Sequence, residues 1–340
     1  MDILEIQNVL NELSRPYGDH RVHVFEVELA GIDQNTLWLR GRVLEEAQRQ
    51  SLAEVMTRRF PGMRINTDQV TVLRGATSHE KYVATNITSM HNDPSFLAEL
   101  STQMLNGLAV EILWQQGQWA FVRQQDGYLG WTYVPYLTDQ AAPQPTHWVV
   151  APVALLHSSA SESAPLLTRI LGGTAVHWMD QDGTWAHVQL AGGWSGWTPV
   201  ANLRAFAELP QTVAERRTQI VKDAFNYIGV PYVWGGSSAF GIDCSGFAQL
   251  LHRLAGVSIP RDADMQCAAG RPAEPPFEPG DLLFTGEAGE KRRITHVMVS
   301  LGGWQVIHSS RSRNGVQVDN VQEVPHLRDG FLCAATLVDR

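Results

Sequence analysis

Cysteine is scarce: three residues in a chain of 340, namely Cys244, Cys267 and Cys333. So few, so scattered, they exclude a disulfide framework and a Cys-rich zinc site. Positive charge is also short. The 26 Lys and Arg stand against 35 Asp and Glu, a net charge of -9. Phosphate-backbone binding needs the opposite balance, so nucleic acid is not the expected partner. No run approaches the ~18 apolar residues of a membrane span. The opening Met1-Asp2-Ile3-Leu4-Glu5 lacks a cationic segment, an apolar segment and a small-residue cleavage site, so the expectation is a cytoplasmic protein. What is present is ordinary for globular proteins: 44% hydrophobic and 18% charged residues. The length predicts two or more domains.

Residues 1–74 read as a small α/β unit. Ile3, Ile6, Val9, Leu10 and Leu13 recur at helical spacing, and Arg15-Pro16-Tyr17-Gly18 stops that helix. Strands follow around Val22–Leu29 and Leu37–Val43, then a helix over Glu45–Phe60 and a strand over Ile65–Leu73. The order resembles a BON-like module, whose members often bind membranes or partners; a plain packing domain reads the same way.

Residues 75–205 contain a repeat. Gly130-Trp131 and Gly196-Trp197 lie 66 residues apart, as do Trp119 and Trp185. Eight of the eleven tryptophans fall between Trp114 and Trp197, so each copy builds its core on large aromatics. Short β-favouring runs broken by Gly, Asp and Asn predict two small barrels, 75–140 and 146–205, joined by Ala141-Ala142-Pro143-Gln144-Pro145. The Gly-Trp-aromatic pattern resembles bacterial SH3 domains.

Residues 210–340 read as α+β, helices first and an antiparallel sheet after. Thr212-x-x-Glu215 forms a capping box ahead of a helix ending near Gly229-Val230-Pro231. In Gly241-Ile242-Asp243-Cys244-Ser245-Gly246-Phe247, Asp243 is a good N-cap, and Phe247, Leu250, Leu251 and Leu254 mark a buried stripe. Cys244 therefore opens a helix, where free N–H groups and the dipole favour a thiolate and lower the thiol pKa. The flanking glycines leave room for a substrate backbone. Buried filler is the alternative for a single Cys. A thiol nucleophile needs a base and a group to orient it. His296, in an apolar strand, and His308, on the next strand, supply both. A Cys/His zinc site is the competing reading, but no Cys-x-x-Cys, His-x-x-x-His or fourth ligand supports it.

These motifs together resemble one family. Tyr232-Val233-Trp234-Gly235-Gly236, Asp243-Cys244-Ser245-Gly246-Phe247, Ile259-Pro260-Arg261, Gln266, Pro279-Gly280-Asp281-Leu282 and His296-Val297 are similar to the NlpC-type cysteine peptidases of cell-wall peptides. The resemblance covers about residues 212–338. It implies a papain-like core in which Cys244 attacks, His296 is the base, His308 orients it and Tyr232 helps the oxyanion site. The implied fold is a multidomain chain, an α+β catalytic domain preceded by two all-β SH3-like barrels and an N-terminal α/β unit. No cofactor or metal is implied.

The two SH3-like modules resemble those of the recycling branch, γ-D-glutamyl-L-diamino acid endopeptidases acting on small murein peptides with a free N-terminal L-Ala. There the first SH3 module binds the ammonium, which transfers to Tyr128 and Asp93, with Asp243 and Ser245 helping from the catalytic side. The chain departs in carrying Asp93 where the pattern has Glu, and Asp262-Ala263-Asp264 where relatives place a hydroxyl after Pro-Arg. Two rivals stand beside this reading: a secreted wall hydrolase anchored by its SH3 modules, and a non-catalytic wall-binding protein.

Strand parity adds a constraint. A two-residue Gly302-Gly303 turn would put His296 and His308 on opposite faces of the sheet. An odd-length or bulged connection pairs Met298 with His308 and brings both imidazoles to one face, so such a connection is predicted.

Overall fold

The structure, a computed structural model, describes residues 2–75, 78–289 and 293–339. The chain divides into two compact units, one of residues 1–80 with 110–132 and one of residues 81–109 with 133–340.

In the first unit the helix Ile3–Ser14 starts at Asp2, whose carboxylate accepts from the Leu4 N–H at 2.9 Å. Strands Phe25–Asp33 and Thr36–Val43 form an antiparallel hairpin, and after the helix Glu46–Arg59 the strand Arg64–Val72 pairs parallel to the second. Ile6, Leu10, Leu37, Leu39, Leu52, Met56 and Val70 close the core. The first strand begins at Phe25, later than the apolar pattern implies. Residues 19–23 are taken up in a turn, in which the Val22 and His23 N–H groups donate to the Asp19 carbonyl and Arg21 pairs with the Asp19 carboxylate. This unit also holds, from Val110 on, the hairpin of strands Ala109–Gln116 and Trp119–Gln124, with the rings of Trp114, Phe121 and Trp131 packed at 4.3–5.4 Å. Arg74 joins the two parts by ion pairs to Glu45 at 2.6 Å and Glu111 at 2.9 Å.

The second unit contains the second repeat entire, an SH3-like sheet of seven strands between His147 and Ala205. It also contains the first repeat's hairpin of Ile87–His91 and Leu100–Leu105. The 66-residue spacing recurs in three dimensions. The His91 Nδ1–Ala98 carbonyl hydrogen bond has its counterpart in His157 Nδ1–Ala164, each 3.0 Å long. Both histidines sit at a β-bulge, opposite Leu100 and Leu166 respectively. The repeat thus extends to buried polar staples as well as tryptophans.

The rest of this unit is α+β. Helix Val213–Ala224 opens with the Thr212–Glu215 capping box, and helix Cys244–Leu254 follows with Asp243 as N-cap. A six-stranded antiparallel sheet runs in the order Arg271–Pro272, Phe331–Thr336, Leu282–Glu287, Arg293–Gly302, Gln305–Ser310, Gly315–Asn320. One face, through Leu282, Phe284, Val297, Val299 and Ile307, packs on Phe247, Leu250, Leu251 and Leu254 of the Cys244 helix. The other face, through Leu283, Met298 and Val306, is covered by Phe277, Leu327 and Trp304. Helices and sheet therefore clamp the start of one helix against the middle of one strand.

Candidate active site

Cys244 occupies the first turn of its helix because Asp243 ends the preceding extended stretch and caps the helix through the Gly246 N–H at 2.7 Å. The residue is only 8% exposed. The N–H groups of Val297 and Ser245 are directed at it, which favours the thiolate, but burial first and the Asp243 charge second dominate. Together they push the thiol up to about 12. The lowered thiol pKa expected from helix position is thus not found, because desolvation outweighs the helix end.

The histidines meet as parity requires. Ser300 pairs with Val306 but Gly302 with Gln305, so Leu301 is an extra, bulged residue before a tight Gly303-Trp304 turn. The ladder has the register that sets Met298 opposite His308, although its pairs stop at Val299–Ile307. His296 Nε2 and His308 Nδ1 lie 2.7 Å apart. That is a hydrogen-bond distance, shorter than the roughly 3.3–3.4 Å that separates two ligand nitrogens of a tetrahedral zinc site.

A residue that sequence reasoning missed completes the chain. His308 Nε2 lies 3.1 Å from Asp319 Oδ2, which also accepts from Gln317 Nε2 at 2.9 Å. A carboxylate only accepts, so His308 carries its proton on Nε2. Neutral His308 then accepts at Nδ1, His296 donates from Nε2, and His296 Nδ1 is left as a bare lone pair. Burial lowers both imidazoles, His296 to about 3, and Asp319 partly offsets this for His308. Cys244 and His296 thus each rest neutral. Asp319 has no signal in the sequence beyond its place on the strand after His308.

Tyr232 is held by a bridge to Ile242, two residues ahead of Cys244. Burial, then the nearby charges of Cys244 and Asp243, raise its pKa, so the phenol keeps its proton and remains a donor.

Asp243 and Ser245, expected to help hold the substrate, are tied into the fold by hydrogen bonds. Asp243 accepts from the Gly235 and Gly246 N–H groups at 2.8 and 2.7 Å, from Ser245 Oγ at 3.3 Å and from the Arg261 fork at 3.0 and 2.7 Å. Those bonds use the acceptor capacity of a carboxylate. Ser245 Oγ accepts from Arg261 Nη1 at 2.8 Å. Arg261, only 2% exposed, also donates to Thr102 Oγ1 at 2.7 Å. Gln103 accepts from the Ser237 N–H and hydroxyl. The strand Leu100–Leu105 thereby becomes part of the frame around the helix start. Gln266 Nε2 donates to the carbonyls of Ser245 and Pro260.

The motif glycines serve close packing rather than substrate room. A Cβ on Gly236 would lie 2.3 Å from the Gly241 carbonyl oxygen, and one on Gly246 2.4 Å from that of Gly236. Asp93 is exposed in the turn after the Ile87–His91 strand. Tyr128 belongs to the first unit, where it is buried, its N–H donating to Asp126 Oδ1 and its carbonyl accepting from the Gln124 N–H.

Comparison with known proteins finds matches to two of the domains and to the fold. The NlpC/P60 family matches residues 229–331, and the bacterial dipeptidyl-peptidase Sh3 domain matches residues 90–132. A gamma-D-glutamyl-L-lysine dipeptidyl-peptidase of Bacillus cereus is 28% identical over 238 residues, 65% of this chain and 70% of that protein. Its namesake from Bacillus subtilis is 29% identical over 253 residues, 69% of this chain and 80% of that protein. The crystal structure of an NlpC/P60 family protein from Bacillus cereus shares the fold, with a TM-score of 0.68 at 22% identity over 76% of this chain and 100% of that one. The protein is a multidomain chain in which residues 229–331 form an NlpC/P60 family domain and residues 90–132 match a bacterial dipeptidyl-peptidase Sh3 domain.

Proposed function

We propose that this protein is a cysteine endopeptidase that hydrolyses the bond between γ-D-Glu and an L-diamino acid in murein stem peptides with a free N-terminal L-Ala. The observation that carries the reading is the directional chain from Asp319 through His308 to His296, which leaves an unprotonated imidazole nitrogen for the thiol proton. The names of the Bacillus relatives point to the same bond.

In the proposed reaction the Cys244 proton passes to His296 Nδ1 as the sulfur bonds to the γ-carbonyl carbon. The C–N bond then breaks, and His296 returns that proton to the departing amine. Water attacks the thioester, giving its proton to His296, and the thiol leaves reprotonated. The Tyr232 hydroxyl and the Cys244 N–H, which the helix does not use, donate to the developing oxyanion. Tyr128 and Asp93 are assigned to the substrate ammonium on the resemblance of their motifs.

The test is release of L-Ala-γ-D-Glu from a defined tripeptide, with Cys244→Ala as control. Acetylating the L-Ala amine removes a charged hydrogen bond, worth roughly ten- to hundredfold in kcat/KM. Equal cleavage of N-acetylated peptide or intact sacculi would replace this reading with a broad wall hydrolase.

A further inference from the structure

Outside the catalytic chain, two thiols face each other. Cys267, on the helix Ala263–Ala269, and Cys333, on the strand Phe331–Thr336, have their sulfurs 3.2 Å apart. Both are half-buried at the edge of the core beneath the Cys244 helix. Neither takes part in the Cys244–His296–His308–Asp319 arrangement. The sulfurs are about 1 Å beyond bonding distance, a gap that small side-chain shifts close.

We propose that Cys267 and Cys333 are a reversible cross-linking site, oxidised by a low-molecular-weight disulfide. One protein thiolate attacks that disulfide, forming a mixed disulfide and expelling one small thiol. The second protein thiolate attacks the sulfur now bonded to the protein and expels the other. Two protein thiols are oxidised, one small disulfide is reduced to two thiols, and the two protons go to the thiols released.

The cross-link has a structural consequence. The segment from Cys267 to Cys333 carries His296, His308 and Asp319, and closing it constrains the unfolded chain over 66 residues of separation. It also fastens the helix that bears Gln266, whose amide holds the carbonyl of Ser245. Oxidation at this site therefore stabilises the catalytic framework and leaves the nucleophile unchanged.

The test treats the full chain with glutathione disulfide and maps thiols by mass spectrometry without reduction. Expected are loss of two hydrogens, a Cys267–Cys333 cross-linked peptide, and a free Cys244 that is still alkylated. Thermal unfolding should rise by on the order of 5–10 °C, with kcat/KM within about twofold of the reduced protein. Cys267→Ser and Cys333→Ser should each lose the cross-link and the rise, keeping activity. The inference is overturned if both thiols stay alkylatable, if each carries its own glutathione, or if the cross-linked protein melts no higher. None of these outcomes bears on the proposed substrate, which the tripeptide assay decides separately.

Discussion

Asp319 fixes the tautomer of His308. Its Oδ2, 3.1 Å from His308 Nε2, holds the proton there and so decides which nitrogen of His296 is left bare. Asp319→Ala removes a charge-assisted hydrogen bond, and kcat should fall roughly 10- to 100-fold with KM little changed. Asp319→Asn is expected to do no better, since its amide N–H₂ can turn toward His308 and impose the wrong tautomer. Steady-state kinetics against pH reads this. With Asp319 gone and Arg313 and His326 still nearby, the His308 imidazolium loses its partner and any acid-limb pKa moves down. An unchanged kcat and pH profile in both variants would show that Asp319 merely fills space.

Cys244→Ala and His296→Ala should each abolish turnover while leaving far-UV circular dichroism and melting close to the parent. Cys267→Ala and Cys333→Ala should stay active, because neither thiol meets the histidines. Complete inactivation by selective alkylation of Cys267 would transfer the nucleophile role away from Cys244.

Arg261 is the second lever on the site. Removing one partner from a buried, hydrogen-bonded ion pair costs about 3–5 kcal/mol, because the other charge is left uncompensated. Arg261→Met should show that loss in denaturant unfolding. Arg261→Lys should recover only part of it, since an ammonium cannot span Asp243, Ser245 and Thr102 together. Near-parental stability in Arg261→Met would mean that Asp243 finds other donors.

Acid should weaken the fold through buried histidines. His252 donates from Nδ1 to the Ala248 carbonyl at 2.8 Å, its Nε2 has no partner among the described residues, and burial pushes it down to about 4. The unfolded chain therefore takes up the proton first. Stability is fully present above pH ~6.5 and is lost as pH falls from there through about 4, to a limit of about 3 kcal/mol for this group. His296 adds a similar loss that continues to about 3. His252→Leu should flatten the fall of melting temperature between pH 6.5 and 4, even if it shifts the whole curve. An unaltered slope would remove His252 from the account.

Much of this architecture was legible in the residues. The 3.6-residue period over Ile3–Leu13, the capping box at Thr212 and the stripe after Cys244 each rest on local rules, and the elements formed where those rules put them. That a shared face for His296 and His308 demands an odd-length or bulged connection followed from strand parity. What local rules could not reach was anything set by desolvation or by partners distant in sequence. No motif sets Arg261, eighteen residues on, against Asp243, or Thr102 against Arg261. The Cys244 thiol looked acidified until its burial was known. Asp319 and the Cys267–Cys333 contact arise from folding and leave no motif.

Hairpin tips are ordinarily where protein families gain and lose residues freely. The one joining the His296 and His308 strands does not have that freedom. The bulge at Leu301 absorbs one odd residue, and straightening it at constant length, with Leu301 opposite Trp304, turns one histidine to the opposite side of the sheet. The surrounding valines would still find a core, so such a chain could fold and be inert. For this hairpin the bulge is a catalytic variable, and a variant that straightens it should keep both histidines on one face only if it also drops one residue.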